Sequence, residues 1–503
     1  MNQLFNKSRY SFLSAFSTPA EIPRACVDNG FSACGITDWH SVSSVNQFIV
    51  SANKCGIKPV VGVDLSDGPF TLYCFCMNFN GWKNLLKILY KGLAEEYSND
   101  LVFVTNDKSK IEYVPSERVF SLTDVVLHES RYIHQDDYRY ADMICKIGKV
   151  QGNILHNRIY PLHMLQSRYT QKQWDNTQAI VDMVEPFSLQ SKPMLPKFIW
   201  TEGKSENEYL RHLCRQGWKS KIAPRLHMLN QQEYVDRINM ELSVIEGAGL
   251  EGYFLMVQDY VNWAKRENML VGPGRGSGGG CLVSYLTNIT AIDPIQHSLL
   301  FERFYNAGRN TATKISLPDI DTDFPVEKRK RVIDYLRTRY GVDNVAHMAT
   351  FSTLKGRGAL KEVMRYDNIP FNEINTLTKL IIEESKVSDQ LEDTGHTSVL
   401  SWMLEYKPKV LQEYVRQTQN GLEGDYADYF TQAMKIEGII KAISQHASGV
   451  LVTPLSVVEH CPVVDHDGHI LAAMDMQDLE SLGLVKVDIL GVNCLDKLEL
   501  VNT

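Results

Sequence analysis

A chain of 503 residues is longer than one compact domain and points to two to four, at roughly 100–200 residues each. With 44% hydrophobic and 22% charged residues it reads as globular rather than disordered. It has no apolar run near the ~20 residues of a membrane span and no signal-peptide pattern at its start, so a cytoplasmic location without membrane contact is expected. Its ten cysteines contain no CxxC pair and argue against a zinc ribbon or a disulfide framework, while the net charge of −8 argues against nucleic acid only as an average over surfaces.

In chain order, Ala33–Thr37 and Pro59–Asp64 read as short buried strands, with a helix over 41–56 ending at Gly56 between them. That rhythm predicts an α/β layer. Residues 139–148 and 174–184 read as helices, and Ser191–Phe198, with its two prolines, as a linker. From Glu206 to Asn268 the spacing is helical: Tyr209, Leu213 and Trp218; then Tyr234, Ile238, Leu242 and Ile245; then Tyr253–Ala264. A glycine-dense loop, Gly272–Gly280, precedes an apolar helix from Cys281 to Leu286. Residues 315–324 alternate with period two, 327–340 form a basic helix, 349–443 read as mainly helical, and Val450–Val452 and Leu484–Ile489 as strands. There are no internal repeats.

The strongest chemical signal is PDIDTDF, residues 318–324. In a strand, residues i and i+2 share a face, so Asp319, Asp321 and Asp323 point the same way and repel. Such a strand is either solvated at an edge or holds a cation. Magnesium suits the second option, because it takes oxygen ligands and a pair of such ions supports in-line phosphoryl displacement. An EF-hand is excluded, since Phe324 and Lys330 stand where that loop needs Gly and Glu. In LGLVKVDILG, residues 482–491, Lys486 and Asp488 share one face of an otherwise apolar strand. A further acid of the same site and a strand with one solvated face are both open readings.

GPGRGSGGG, residues 272–280, contains GxGxxG, but no βαβ unit surrounds it and no Lys-Ser/Thr follows, which excludes the Rossmann and Walker A readings. What remains is a loop whose backbone N–H groups can approach phosphate, with Arg275 and Ser277 as further donors, or a tight helix–helix turn. Between Arg303 and Arg339 nine Lys/Arg face five Asp/Glu. Lys328, Arg329 and Lys330, with Arg357 and Lys361 one helical turn apart, are candidates for sequence-independent contact with a DNA backbone.

These motifs resemble, in order, the C-family replicative DNA polymerases, the alpha subunits of bacterial DNA polymerase III. The similarity runs through YFLMVQDYVNWAKRENMLVGPGRGSGGG, SLPDIDTDFPVEKRKRVIDYL, ATFSTLKGRGALKEV, HASGVLVTP and GLVKVDILG. The resemblance implies a multidomain α/β and α+β protein. Residues 1–197 would be a degenerate PHP-type α/β barrel, 198–350 and 444–503 a polymerase-beta-like nucleotidyltransferase palm, and 351–443 a helical thumb inserted in it. It implies Asp319, Asp321 and Asp488 as catalytic carboxylates holding two Mg2+ ions, with Asp323 as a further acid of the motif. Arg275, Gly276, Ser277, Arg303 and Lys486 would lie at the incoming triphosphate. Primer–template DNA and dNTP would be the substrates, and replisome proteins possible partners.

Two departures qualify the resemblance. The histidines of the PHP metal site are replaced by Phe5 and Lys7, Trp39 follows Asp38 where the family has histidine, Asp64 stands for Glu, and Glu129-Ser130-Arg131 for D-x-H. No PHP metal and no PHP phosphoesterase activity are therefore expected. The family's fingers, clamp-binding region and OB fold have no counterpart within residue 503, so a second polypeptide supplying fingers is expected. A non-catalytic palm–thumb remnant that binds DNA or a replisome protein is the alternative.

Overall fold

The computed structural model describes residues 1–150, 152–306, 308 and 317–502. The chain gathers into two units: Met1–Ser188 with Phe351–Ser444, and Leu189–Thr350 with Gln445–Thr503.

The first unit is built on β1 (Asn2–Gln3), β2 (Ala33–Trp39), β3 (Lys58–Asp64), β4 (Leu72–Cys76), β5 (Leu101–Thr105) and β6 (Val119–Ser121), in that spatial order. Strands β2 and β3 are parallel, joined by the helix Val45–Cys55, which stops at Gly56 in a left-handed conformation (φ 68°). Their residues are buried almost without interruption, as a sheet covered on both faces requires. The link from β3 to β4 is too short for a crossover, so that pair is antiparallel, as is β4 with β5. Among the described residues nothing pairs β1 with β6. The sheet is thus a half-barrel, and just past β1 Asn6 forms a parallel bridge with Ser130, beyond β6.

Residues 351–444 add five helices of seven or more residues to this unit, Gly356–Tyr366, Phe371–Thr378, Ser388–Thr394, Val399–Tyr406 and Ala427–Ile436. Their core is shared with Met143 and Ile144 of the helix Tyr138–Ile147, which pack with Leu360, Val363 and Met364. A small antiparallel hairpin, Arg416–Thr418 with Gly421–Glu423, interrupts the helices. The sequence reading missed it, because each arm is only three residues long.

A second sheet consists of β7 (Asp321–Phe324), β8 (Val345–Thr353), β9 (Ile440–Val452), β10 (Val463–His466), β11 (His469–Ala472) and β12 (Lys486–Gly491), in the spatial order β10-β11-β8-β9-β12-β7; β8 up to Thr350 and β9 from Gln445 belong with the other four strands to the second unit. The regular strand at the acidic motif is shorter than the alternation suggested: it starts at Asp321, and residues 315 and 316 lie outside the described residues. Helices Gln231–Ala248, Glu251–Arg266 and Val326–Tyr340 supply core partners such as Tyr234, Tyr253, Tyr260 and Leu336 to Phe324, Val450, Val487 and Ile489. The segment read as a linker is docked: Ser191 N–H donates to Ser481 O and Met194 N–H to Gly483 O. Gly483 permits this approach, since a Cβ there would lie 2.2 Å from Lys192 O. No described helix is long and apolar enough to cross a membrane, and all ten cysteines are free.

Candidate active site

Strands β7 and β12 run parallel, with Asp488 opposite Asp321 and Ile489 opposite Thr322. The alternation sets the faces. Thr322, Phe324, Val487 and Ile489 go into the core, while Asp321 and Asp488 share the other side. Thr322 locks the register: its hydroxyl donates to Asp488 O at 2.7 Å and meets the Tyr260 hydroxyl at 3.2 Å. Just before β7, Ile320 is buried and its N–H donates to the Tyr253 hydroxyl, which leaves Asp319 exposed beside the same face. Asp319, Asp321 and Asp488 each present a carboxylate oxygen within 4.8 Å of the others.

Three acids this close are electrostatically costly. Burial and a hydrogen bond with Asp488 push Asp319 up to about 6, against the pull of Lys486. Asp321 is raised by burial and by Asp488. Burial opposes ionisation of Asp488 too, yet hydrogen bonds from Lys486, Asp319 and Ser448 hold it below the usual carboxylate range. Lys486 Nζ lies 2.7 Å from Asp488 Oδ2 and 3.6 Å from Asp319 Oδ1. Asp323 stands apart from the three and faces Arg275 Nε at 3.4 Å.

The glycine loop passes over this face. Gly276 has φ 58°, and a Cβ there would sit 3.6 Å from Asp321 Oδ2. Gly276, Ser277, Gly280, Leu299, Leu300 and Arg303 line a cavity of about 510 Å3. The loop's exit is fixed by a buried pair that sequence reasoning missed. Glu241, fully buried, accepts from Leu282 N–H at 3.0 Å and Val283 N–H at 2.9 Å. Arg237 lies 2.6 Å from Glu241 and donates to Gly280 O and Leu299 O. A signal was available, because 241 falls on the seam of Tyr234, Ile238 and Ile245, where a glutamate needs a partner. Glu241→Gln turns one accepting oxygen into a donor facing an N–H. It is expected to cost about 1–2 kcal/mol, seen as a lower melting temperature.

The basic candidates divide. Lys328 pairs with Glu499 at 2.7 Å. Arg329 turns inward, and its Nε donates to Ile489 O at 2.6 Å. Lys330 is exposed. Arg357 and Lys361 belong to the first unit, where Arg357 binds Glu383 and Ile381 O, and Lys361 lies 5.7 Å from the Phe371 ring centre.

A second polar cluster lies in the first unit. Lys7, almost fully buried, sets its Nζ against Asp64 and 3.4 Å from Glu129, which also binds Arg131 at 2.7 Å. Phe5 is buried edge-on against Tyr73 and Phe75. Asp38 accepts from Ser8 N–H and from the hydroxyls of Ser8, Ser11 and Ser44 at 2.5–2.7 Å. Trp39 is exposed, its indole N–H on Ser66 O.

Two family models match the chain. Residues 4–185 match the PHP domain, and residues 208–491 match the bacterial DNA polymerase III alpha NTPase domain. The chain belongs to the bacterial DNA polymerase III alpha family. It is 27% identical to DNA polymerase III subunit alpha of Pseudomonas aeruginosa, over 97% of this chain and 47% of that one. The same-named protein of Borreliella burgdorferi is 29% identical over 97% of this chain and 48% of that one. That of Aquifex aeolicus is 38% identical over 61% of this chain and 27% of that one. The chain thus spans about half the length, or less, of these curated relatives.

Proposed function

We propose that this chain carries the catalytic centre of a DNA-templated DNA polymerase and transfers a nucleotidyl group from a dNTP to a primer 3′ hydroxyl. The observation that carries this reading is the trio Asp319, Asp321 and Asp488, brought together by in-register pairing of β7 and β12. Partly desolvated, mutually repelling carboxylates fit hard divalent cations with oxygen ligands, and two Mg2+ ions are the assigned occupants. Such ions, when bound, lower the pKa of an attacking hydroxyl and neutralise charge on attacking and leaving oxygens. The protein's own groups do the rest. Lys486, Arg275 and Arg303 offset phosphate charge, while Gly276 and Ser277 bring backbone and hydroxyl donors to the cavity beside Asp321. Residues 198–350 with 444–503 would serve as palm and 351–443 as thumb. Lys330, exposed on its helix, would meet the DNA backbone.

For the PHP part we infer a site without metal. Lys7 supplies positive charge to Asp64 and Glu129, and four hydrogen bonds satisfy Asp38. A charged ammonium there repels a cation.

The test is primer extension with Mg2+ and with chelator. It is run on this chain alone and with a second polypeptide, the part of a longer relative that follows its match to residue 491. Mg2+-dependent, template-directed incorporation in either arm is the expected result. DNA binding without incorporation in both arms would point instead to a binding module.

A further inference from the structure

Asp488 is only 4% exposed, and its two oxygens have different partners. Oδ2 faces Lys486, while Oδ1 accepts from the Ser448 hydroxyl at 3.1 Å. Ser448 comes from β9, where its neighbour Gly449 lies opposite Asp488 in the ladder. The strand is held there by a histidine folding back on its own backbone. His446 Nδ1 accepts from Ser448 N–H at 3.2 Å and from Gly449 N–H at 2.9 Å. A ring nitrogen that accepts two N–H groups uses its lone pair, so the proton of the neutral imidazole sits on Nε2. From the other side Met348 closes the turn, since a Cβ on Gly449 would come within 2.7 Å of its sulfur.

We propose that His446 and Ser448 are positioning residues for Asp488. Repulsion from Asp321 favours rotation of the Asp488 carboxylate out of the cluster. The Ser448 hydroxyl opposes that rotation by fixing Oδ1, and Oδ2 stays turned toward Lys486. His446 acts one step further out: its clasp on two backbone N–H groups sets where the Ser448 hydroxyl points. This assignment rests on the reading of Asp488 as a cation ligand. Outer hydrogen bonds of this kind are worth about 10–100-fold in metal affinity or activity.

The experiment titrates Mn2+ into the full chain, following free Mn2+ by electron paramagnetic resonance, with melting curves as a control. Single-nucleotide incorporation is measured under whichever condition supports extension. Asp488→Ala defines the site by the Mn2+ binding it removes. Ser448→Ala and His446→Ala are expected to weaken that binding about 10–100-fold and to lower kcat by a similar factor, with KM for dNTP within about twofold. His446→Asn is expected to restore both, because the Asn Oδ1 can take the place of Nδ1 as acceptor for the same N–H groups. His446→Gln, whose amide reaches the Nε2 position instead, is expected not to. If an alanine variant fails to fold, Ser448→Cys and the Asn/Gln pair carry the comparison. Wild-type Mn2+ binding in Ser448→Ala and His446→Ala, with binding lost in Asp488→Ala, overturns the positioning role alone. Unchanged Mn2+ binding in Asp488→Ala overturns the cation reading, and this proposal with it.

Discussion

Asp319→Ala combined with Asp321→Ala is expected to abolish template-directed extension and, in the same protein without metal, to raise the melting temperature. The loss of activity follows from the proposed chemistry. Two of the three carboxylates that would hold cations disappear, and several kcal/mol of charge stabilisation at the reacting phosphate corresponds to roughly 10³-fold or more in rate. The gain in stability follows from the geometry. Three acids lie with their oxygens within 4.8 Å, and removing two ends the repulsion that raises Asp319 and Asp321, against the loss of the Asp319–Asp488 hydrogen bond. No cation is stranded by the change: Lys486 keeps Asp488, and Arg275 keeps Asp323. Because Asp319 is more than half exposed and already faces Lys486, water and the lysine absorb much of the repulsion, and the gain should be on the order of 1 kcal/mol. Paired measurements of extension rate and thermal unfolding in chelator check both halves. A double variant that melts lower and still extends primers contradicts the reading.

The second large effect concerns Lys7. Its ammonium is the charge partner of Asp64 in a pocket where both side chains are at most 7% exposed. Lys7→Met keeps the length and apolar body of the side chain but strands a buried carboxylate. Glu129 keeps Arg131, so Asp64 bears the loss. Breaking a buried pair from one side costs about 3–5 kcal/mol, and urea unfolding of the first unit is expected to shift by that amount. Adding Asp64→Asn should recover most of it, since the stranded charge, rather than the missing contact, dominates the cost. A shift below about 1 kcal/mol in Lys7→Met would show that Lys7 does not carry this site.

The acidic alternation at Asp319, Asp321 and Asp323 and the single acid at 488 were visible as patterns of two, and the strands and buried faces follow from them. Sequence could not show the register of β7 on β12, which separates Asp323 from the trio and sets Asp488 opposite Asp321. Register depends on long-range pairing that local alternation does not encode. Phe5 and Lys7, where the resemblance expects histidines, were readable in the sequence. The ion pair that Lys7 makes was not, because Asp64 and Glu129 lie far along the chain. The helix seam at Tyr234, Ile238, Leu242 and Ile245 was legible, but the buried role of Glu241 beside it was not, because its partners at Leu282 and Val283 lie on a distant segment. Residues 351–443 read as an insertion of helices, and the core they share with Met143 and Ile144 is again a distant contact. The docking of 191–194 along Ser481–Gly483 escaped notice, because two prolines look alike in a free linker and in an extended segment held by backbone bonds.

The in-register pairing of β7 and β12 also sets an order of events during synthesis. Thr322 and Asp488, whose hydrogen bond locks the two strands, are 166 residues apart. A ribosome therefore finishes the glycine loop, the first two acids and every helix of 351–444 before the strand bearing the third acid emerges. Until then Asp319 and Asp321 have no third member, and a truncated product ending short of β12 cannot assemble the trio at all. Completion of the site thus reports that the chain has been made and folded through residue 488.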